Sequence, residues 1–217
     1  MERAKRREEL NAHGILMIAI SFLIAYALGD INPAIIIGRI KHIDIRREGS
    51  GNAGMTNTIR VIGLWAGIVV FIVDVLKAFI AVRLGFYLAG VPGEMAGFAG
   101  VVIGHCYPAL YGFKGGKGVA ASLGAALALD WMSALAALAV AGIVFLISGR
   151  KMSLASLIAA VSFPIFVFFI NPDRRIFWFS IAAVIFLVIQ HASNIGRLAR
   201  GEEQALTIGH GDSKKDE

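Results

Sequence analysis

Residues 95–129 read MAGFAGVVIGHCYPALYGFKGGKGVAASLGAALAL, two apolar runs with a short loop of glycine and lysine between them. The runs, 95–111 and 118–129, are of the kind that pack inside a bilayer, and the loop is Gly112-Phe113-Lys114-Gly115-Gly116-Lys117-Gly118. Glycines let the backbone come close to a ligand, and successive N–H groups can converge on an anion. Lysine adds a mobile positive charge, and a helix that begins at Val119 aims the positive end of its dipole at the same point. A phosphate-type loop at the edge of a membrane implies a phosphorylated ligand handled there. It is not a nucleotide P-loop. Only Phe113, Lys114 and Gly115 separate Gly112 from Gly116, and Gly118 follows Lys117 where that motif has Ser or Thr.

The rest of the chain agrees with the membrane reading. Of 217 residues, 57% are hydrophobic, and the mean hydropathy is +0.72. A soluble domain of this length cannot hide so much apolar surface. Seven apolar segments can be drawn, roughly 14–38, 61–82, 95–111, 118–129, 132–148, 153–170 and 176–190. They predict an all-α polytopic bundle of seven transmembrane helices. A five-span arrangement, with the short fourth segment fused to the fifth or re-entrant, is the alternative, because about 20 residues are needed to cross. The organisation expected is a basic N-terminal segment over 1–13, one transmembrane catalytic domain over 14–200, and a polar, mobile cytoplasmic tail over 201–217. The first apolar run is too long for a cleavable signal and lacks a small-residue cleavage site. Cys106 is the lone cysteine, so neither a disulfide within the chain nor a cysteine metal cluster is expected.

Charge gives an orientation. With the N-terminus outside, the inner side holds Arg39, Lys41, Arg46, Arg47, Arg60, Lys114, Lys117, Arg150, Lys151, Arg197, Arg200, Lys214 and Lys215. The outer side then holds Arg3, Lys5, Arg6, Arg7, Arg83, Arg174 and Arg175. This bias favours N-out and C-in, although the basic cluster before the first span pulls the other way. The net charge of +6 fits cytoplasmic loops, anionic headgroups or an anionic substrate better than nucleic acid. Membrane lipids are therefore the expected surroundings and no nucleic-acid partner is expected.

Three polar stretches carry the candidate chemistry, and in this orientation all lie on one face. The first runs from Arg46 and Arg47 through Ser50, Gly51, Asn52, Gly54, Thr56 and Asn57 to Arg60. One residue suffices to cap a helix; this stretch has more donors than that, as an anion site needs. The second joins His105 to Lys114, Gly115, Gly116, Lys117 and Gly118. His105 is either a substrate contact or a partner of a nearby carbonyl. The third sets His191 and Asn194 three residues apart at the end of the last span, on one helix face. Ser153 is either a packing residue or a substrate contact. Asp74 and Lys77, three apart inside the second span, are either a self-neutralising pair or a support for the site. None of the five histidines is followed five positions on by aspartate, and neither a zinc His-Glu-x-x-His nor a Gly-x-Ser-x-Gly elbow occurs. No cofactor and no metal are expected. A transporter of phosphorylated metabolites could use similar loops, but beyond Asp74 and Lys77 few residues offer a polar path across. A lipid-binding structural protein would not need convergent polar loops.

Ser50-Gly51-Asn52 with Gly54 and Thr56-Asn57, then Gly104-His105 with Pro108 and Phe113 to Gly118, then His191 with Asn194-Ile195, resemble the bacterial acyl-phosphate-dependent glycerol-3-phosphate acyltransferases over about residues 24–203. Asp30, Ala78 and Ser193 depart from the serine, glycine and glutamate expected of that family. The resemblance implies transfer of a fatty acyl group from acyl phosphate to the 1-hydroxyl of glycerol 3-phosphate, the first step of phospholipid synthesis. It also implies a multi-pass protein of the bacterial cytoplasmic (inner) membrane with its active site at the cytoplasmic face, and a functional link to an enzyme that forms acyl phosphate. Ser50, His191 and Asn194 would then be catalytic. The first loop would cradle the donor phosphate and the Lys114–Gly118 loop would hold glycerol 3-phosphate.

Overall fold

The computed structural model describes residues 2–206, with side chains from residue 11 onward. Lys214 and Lys215 and the side chains of Arg3, Lys5, Arg6 and Arg7, all used in the orientation argument, lie outside the described residues. Among the described residues every regular element is helical: α1 (Glu2–Asp30), α2 (Pro33–Ile40), α3 (Met55–Val61), α4 (Leu64–Cys106), α5 (Val119–Leu129), α6 (Trp131–Ile147), α7 (Met152–Ile170), α8 (Arg174–Gln190) and α9 (Ala192–Ala199), with a single 3₁₀ turn at Ala109–Tyr111.

The expectation of seven spans does not hold. Three stretches are long and apolar enough to cross a membrane: Asn11–Ile40, Leu64–Tyr111 and Met152–Ile170. A fourth arises only if Arg174–Gln190 and Ala192–Ala199, bent by 64° at their break, count as one. The physical reason is that an apolar run in sequence is not yet a helix of membrane length. The runs at 61–82 and 95–111 fall largely in one stretch, Leu64–Tyr111, which counts once although non-helical residues at Ala89 and Gly90 divide it. The helices α5 and α6 have 11 and 17 residues, hence about 16 and 26 Å against a hydrocarbon core of about 30 Å. The five-span alternative fails on the same lengths, and the orientation built on the span count falls with it.

Helix α4 is folded back on itself. Ala89 (φ −144°, ψ 22°) and Gly90 (φ 60°, ψ −147°) leave helical geometry, and Pro92 follows. Gly90 sits in a region that essentially only glycine enters. Beyond the turn the second arm packs on the first, and Gly97 leaves only 2.9 Å between a would-be β-carbon and the Ala81 carbonyl. The same arm lies against α1, where Gly100 and Gly104 face the Phe22 and Tyr26 carbonyls, and Gly124 of α5 faces Val75 on the first arm. Helices in lipid gain little from burying apolar side chains against each other, so close backbone approach through small residues carries their association. The α1–α4–α5 unit is the rigid frame. The main core runs through it, from Ala25 and Val82 to Phe98 and Ala125, and on to Phe163 and Val167 of α7.

A buried polar cluster ties this frame together. Lys77 Nζ lies 2.7 Å from Asp74 Oδ1 and donates to the carbonyls of Gly29 and Ile31 at 3.1 and 2.6 Å. His105 Nδ1 lies 3.2 Å from Asp74 Oδ1. The same nitrogen lies 3.2 Å from Lys77 Nζ, so it faces both members of the ion pair. The cluster thus fixes the end of α1 to both arms of α4, next to the start of the glycine loop.

Candidate active site

Three segments that are far apart in sequence meet at one end of the bundle. The first, 45–61, is organised from inside by Asn57. Its Nδ2 donates to the Ile45 and Glu48 carbonyls at 2.9 and 3.0 Å, and its Oδ1 accepts from the Ser50 amide at 2.8 Å. Asn57 is fully buried and fixes the loop that presents Ser50, Asn52, Gly54 and Thr56. Arg46 is spent on structure too: Nε lies 3.0 Å from Asp44 Oδ1 and Nη1 donates to the Tyr111 carbonyl at 3.1 Å. Hydrogen bonds from Arg46 hold the Asp44 carboxyl below the usual carboxylate range.

In the second segment the glycine loop folds back over the end of α4. Gly115 and Gly116 donate to the carbonyls of Cys106 and His105, each at 3.1 Å. Gly116 has no room for a side chain, since a β-carbon would stand 2.7 Å from the Ala53 carbonyl and collide with the His105 ring. Gly118, at φ +81°, turns the chain into α5. Gly118, Val119 and Ala120 line the cavity described below, so the amide end of α5 faces it.

The third segment is α9 with the residues after it. His191 is buried, and its Nδ1 donates to the Leu187 carbonyl at 2.9 Å, since a carbonyl only accepts. In a neutral imidazole this leaves Nε2 with the lone pair. Asn194 joins two partners: Oδ1 accepts from Lys117 Nζ, and Nδ2 donates to Glu203 Oε1 at 2.7 Å. Glu203 also accepts from Ser153 Oγ at 2.7 Å and Arg197 Nε at 2.8 Å. The segment that carries it is bound at both flanks. Arg60 Nη2 donates to the Gln204 and Ala205 carbonyls at 3.2 and 3.3 Å, and the Leu206 amide donates to the Arg150 carbonyl at 2.9 Å.

Electrostatics follow from this packing. Burial pulls Lys117 below the usual lysine range, the Arg197 charge adds to that, and Glu203 opposes both. Burial pushes the Glu203 carboxyl up, but hydrogen bonds from Ser153, Asn194 and Arg197 outweigh it and hold the group below the usual glutamate range.

All of this forms the mouth of a cavity of about 440 Å³. Ser50, Asn52, Arg60, Lys117, His191, Asn194, Arg197 and Glu203 line its polar end. The other end is apolar and runs between α5, α6, α7 and α8, past Ala137, Ala141, Ala159 and Val184 to Phe98 and Phe163. One space therefore joins a cationic, hydrogen-bonding head to an apolar arm. That is the shape of a site for an anionic amphiphile.

A family model described as glycerol-3-phosphate acyltransferase matches residues 19–201, most of the chain. The chain belongs to that family. A glycerol-3-phosphate acyltransferase of Thermoanaerobacter sp. (strain X514) is 41% identical over 185 residues, which cover 85% of this chain and 93% of the relative. One of Actinobacillus succinogenes is 40% identical over 84% and 90% of the two chains. Among solved structures, PlsY (YgiH), described as an integral membrane glycerol 3-phosphate acyltransferase, is similar in its glycerol 3-phosphate form at a TM-score of 0.83. The identity is 34%, over 88% of this chain and 96% of that one. Its lysophosphatidic acid form gives a TM-score of 0.80.

Within this acyltransferase the structure sorts the residues singled out in sequence. Ser50, Asn52, Gly54, Thr56, Arg60, His105, Lys117, Gly118, Ser153, His191 and Asn194 line the cavity together. Arg46, Arg47, Gly51, Asn57, Lys114, Gly115 and Gly116 do not line it. Arg47 is exposed and 3.6 Å from Asp44, and Lys114 is exposed. Two charged lining residues, Arg197 and Glu203, were not singled out in the sequence. Arg197 stands three after Asn194, a spacing that places it on the same helix face. Glu203 lies in the polar stretch read as tail, where nothing in the sequence signals docking.

Proposed function

We propose that this acyltransferase moves a fatty acyl group from acyl phosphate to the 1-hydroxyl of glycerol 3-phosphate, releasing lysophosphatidic acid and inorganic phosphate. Family membership carries the acceptor and the reaction class. The observation that carries the arrangement is the single cavity with its cationic mouth and apolar arm, which suits two phosphates at one end and an acyl chain at the other. The protein is a multi-pass membrane protein of the bacterial inner membrane.

The roles follow from position. Ser50, Asn52, Gly54 and Thr56 cradle the donor's phosphate on a loop that Asn57 holds. Lys117, with Arg60 and the amide end of α5, takes the phosphate of glycerol 3-phosphate. His191 and Asn194 orient the hydroxyl and the acyl carbonyl. The hydroxyl oxygen then bonds to the carbonyl carbon, the carbon–oxygen bond to phosphate breaks, and phosphate leaves with the electron pair. An acyl phosphate is already an activated anhydride, so alignment and charge neutralisation supply most of the rate. The departing phosphate accepts the hydroxyl proton; a limb of the pH–rate profile in the histidine range that disappears in His191→Gln would assign that step to His191 instead.

The mouth sits at the cytoplasmic face. Arg60, Lys117 and Arg197 line it, which is the charge bias of an inner side. An enzyme that forms acyl phosphate would supply the donor there. The test is phosphate release from acyl phosphate by detergent-purified protein, with and without glycerol 3-phosphate, alongside mass spectrometry of the lipid product. Release that depends on glycerol 3-phosphate and yields lysophosphatidic acid is expected. Product from acyl-CoA alone, with none from acyl phosphate, would overturn the donor assignment.

A further inference from the structure

We propose that the closed lower end of the cavity, formed by Phe98, Ala134, Phe163 and Ser180, sets the length of acyl chain this enzyme accepts. The inference rests on the acyl-transfer reading above and adds the residues that determine specificity. All four side chains line the cavity, and each is buried, at 5%, 1%, 7% and 1% exposure respectively. Phe98 is braced from behind by Phe179, whose ring centroid is 5.3 Å away. Beyond them lies packed core. The end is therefore a wall.

Two helices give the same depth. From Ser153 at the mouth to Phe163 at the wall is ten residues along α7, or about 15 Å at 1.5 Å per residue. From His191 to Ser180 along α8 is eleven residues, or about 16 Å. Above the wall the sides combine small residues on α6 and α7 with larger ones such as Leu123, Val184 and Leu187. On α6, Ala134, Ala137 and Ala141 recur at helical spacing and line the cavity, and Ala155 and Ala159 do the same on α7. Apolar sides and a phenylalanine floor make a slot of fixed depth, which takes a linear chain and stops it. The upper half is different: Leu138 is 43% exposed and Gly142 is exposed, so the slot opens sideways there. A tail can enter laterally from lipid, but its end must seat in the closed part.

In a pocket with a hard end, one methylene too many or too few changes selection by roughly 10-fold or more. The test is kcat/KM for a series of saturated acyl phosphates of increasing length. Phe163→Leu should move the optimum to longer donors and Ala134→Val to shorter ones, with the KM for glycerol 3-phosphate unchanged in both. A second measurement needs no variant. Non-reactive alkyl phosphonates of graded length should inhibit the wild-type enzyme more strongly by roughly fourfold per carbon until the slot is full, and then lose strength. An inhibition series that flattens without loss, or an unchanged donor profile in active variants, would mean that the tail leaves sideways past Leu138, and would overturn the proposal. Either result leaves acyl transfer itself intact, so it is distinguishable from failure of the acyltransferase reading.

Discussion

The mouth and the arm of the cavity are built on opposite plans. The mouth draws its groups from loops and short helices: Ser50 and Asn52 before α3, Lys117 between α4 and α5, Asn194 on α9 and Glu203 beyond it. Each is held by individual hydrogen bonds, so geometry there depends on single atoms. The arm is built from the faces of long helices, where alanines at helical spacing define a volume and no one contact dominates. A site of the first kind is expected to fail steeply on single changes, and one of the second kind to shift its preference gradually.

Asn194→Ala is the sharpest challenge to that contrast. It unties Lys117 from Glu203 at the reacting end, and kcat should fall by about 10²-fold or more while circular dichroism stays unchanged. A near wild-type rate would remove α9 from the catalytic end. Lys117→Ala follows: loss of a charge-assisted contact costs about 1.5–3 kcal/mol, so the KM for glycerol 3-phosphate should rise roughly 10- to 150-fold. A raised KM for acyl phosphate in its place would exchange the two phosphate assignments.

Asn57→Ala touches no substrate in this reading. It strips partners from the Ile45 and Glu48 carbonyls and the Ser50 amide, which should cost about 1–3 kcal/mol. Hydrogen exchange over residues 45–53 should rise, and kcat/KM should drop for both substrates together. A drop for one substrate alone would make Asn57 a direct contact. The smallest effect expected is one of pH. The docked Glu203 carboxyl titrates below a free one, so its contribution is whole above the free glutamate range, about pH 4.3, and is lost as pH falls through the docked value. Exchange at residues 202–206 should therefore rise on acidification in the wild type, and already be high and nearly flat in Glu203→Gln. Equal protection in both proteins would show that the backbone bonds to Arg60 and Arg150 hold this segment unaided.

Much of the mouth was legible in the sequence, because polar side chains stand out against apolar runs and their clustering needs a reason. Ser50, Asn52, Lys117, His191 and Asn194 were all found that way. The sequence could not say which polar residues serve the loop and which the ligand. Asn57 and Arg46 look like their neighbours until the backbone partners are seen. Span number was misread because hydropathy reports burial in apolar surroundings and is blind to helix length. The fold-back at Gly90 joins two apolar runs into one stretch, and the fourth run, short already in sequence, is an 11-residue helix. The arm was illegible for a related reason: Ala134, Ala137 and Ala141 matter for the volume they leave empty, and an alanine in a membrane helix signals nothing by itself.

Glu203 comes after every described helix in chain order, and this has a consequence for biogenesis. Synthesis and insertion proceed from the N-terminus, so the helices that wall the cavity are all made before the residue that joins Asn194, Ser153 and Arg197. Until it docks, those side chains lack their common acceptor. A chain cut short at α9 would enter the membrane with its apolar slot complete and its polar end unlatched.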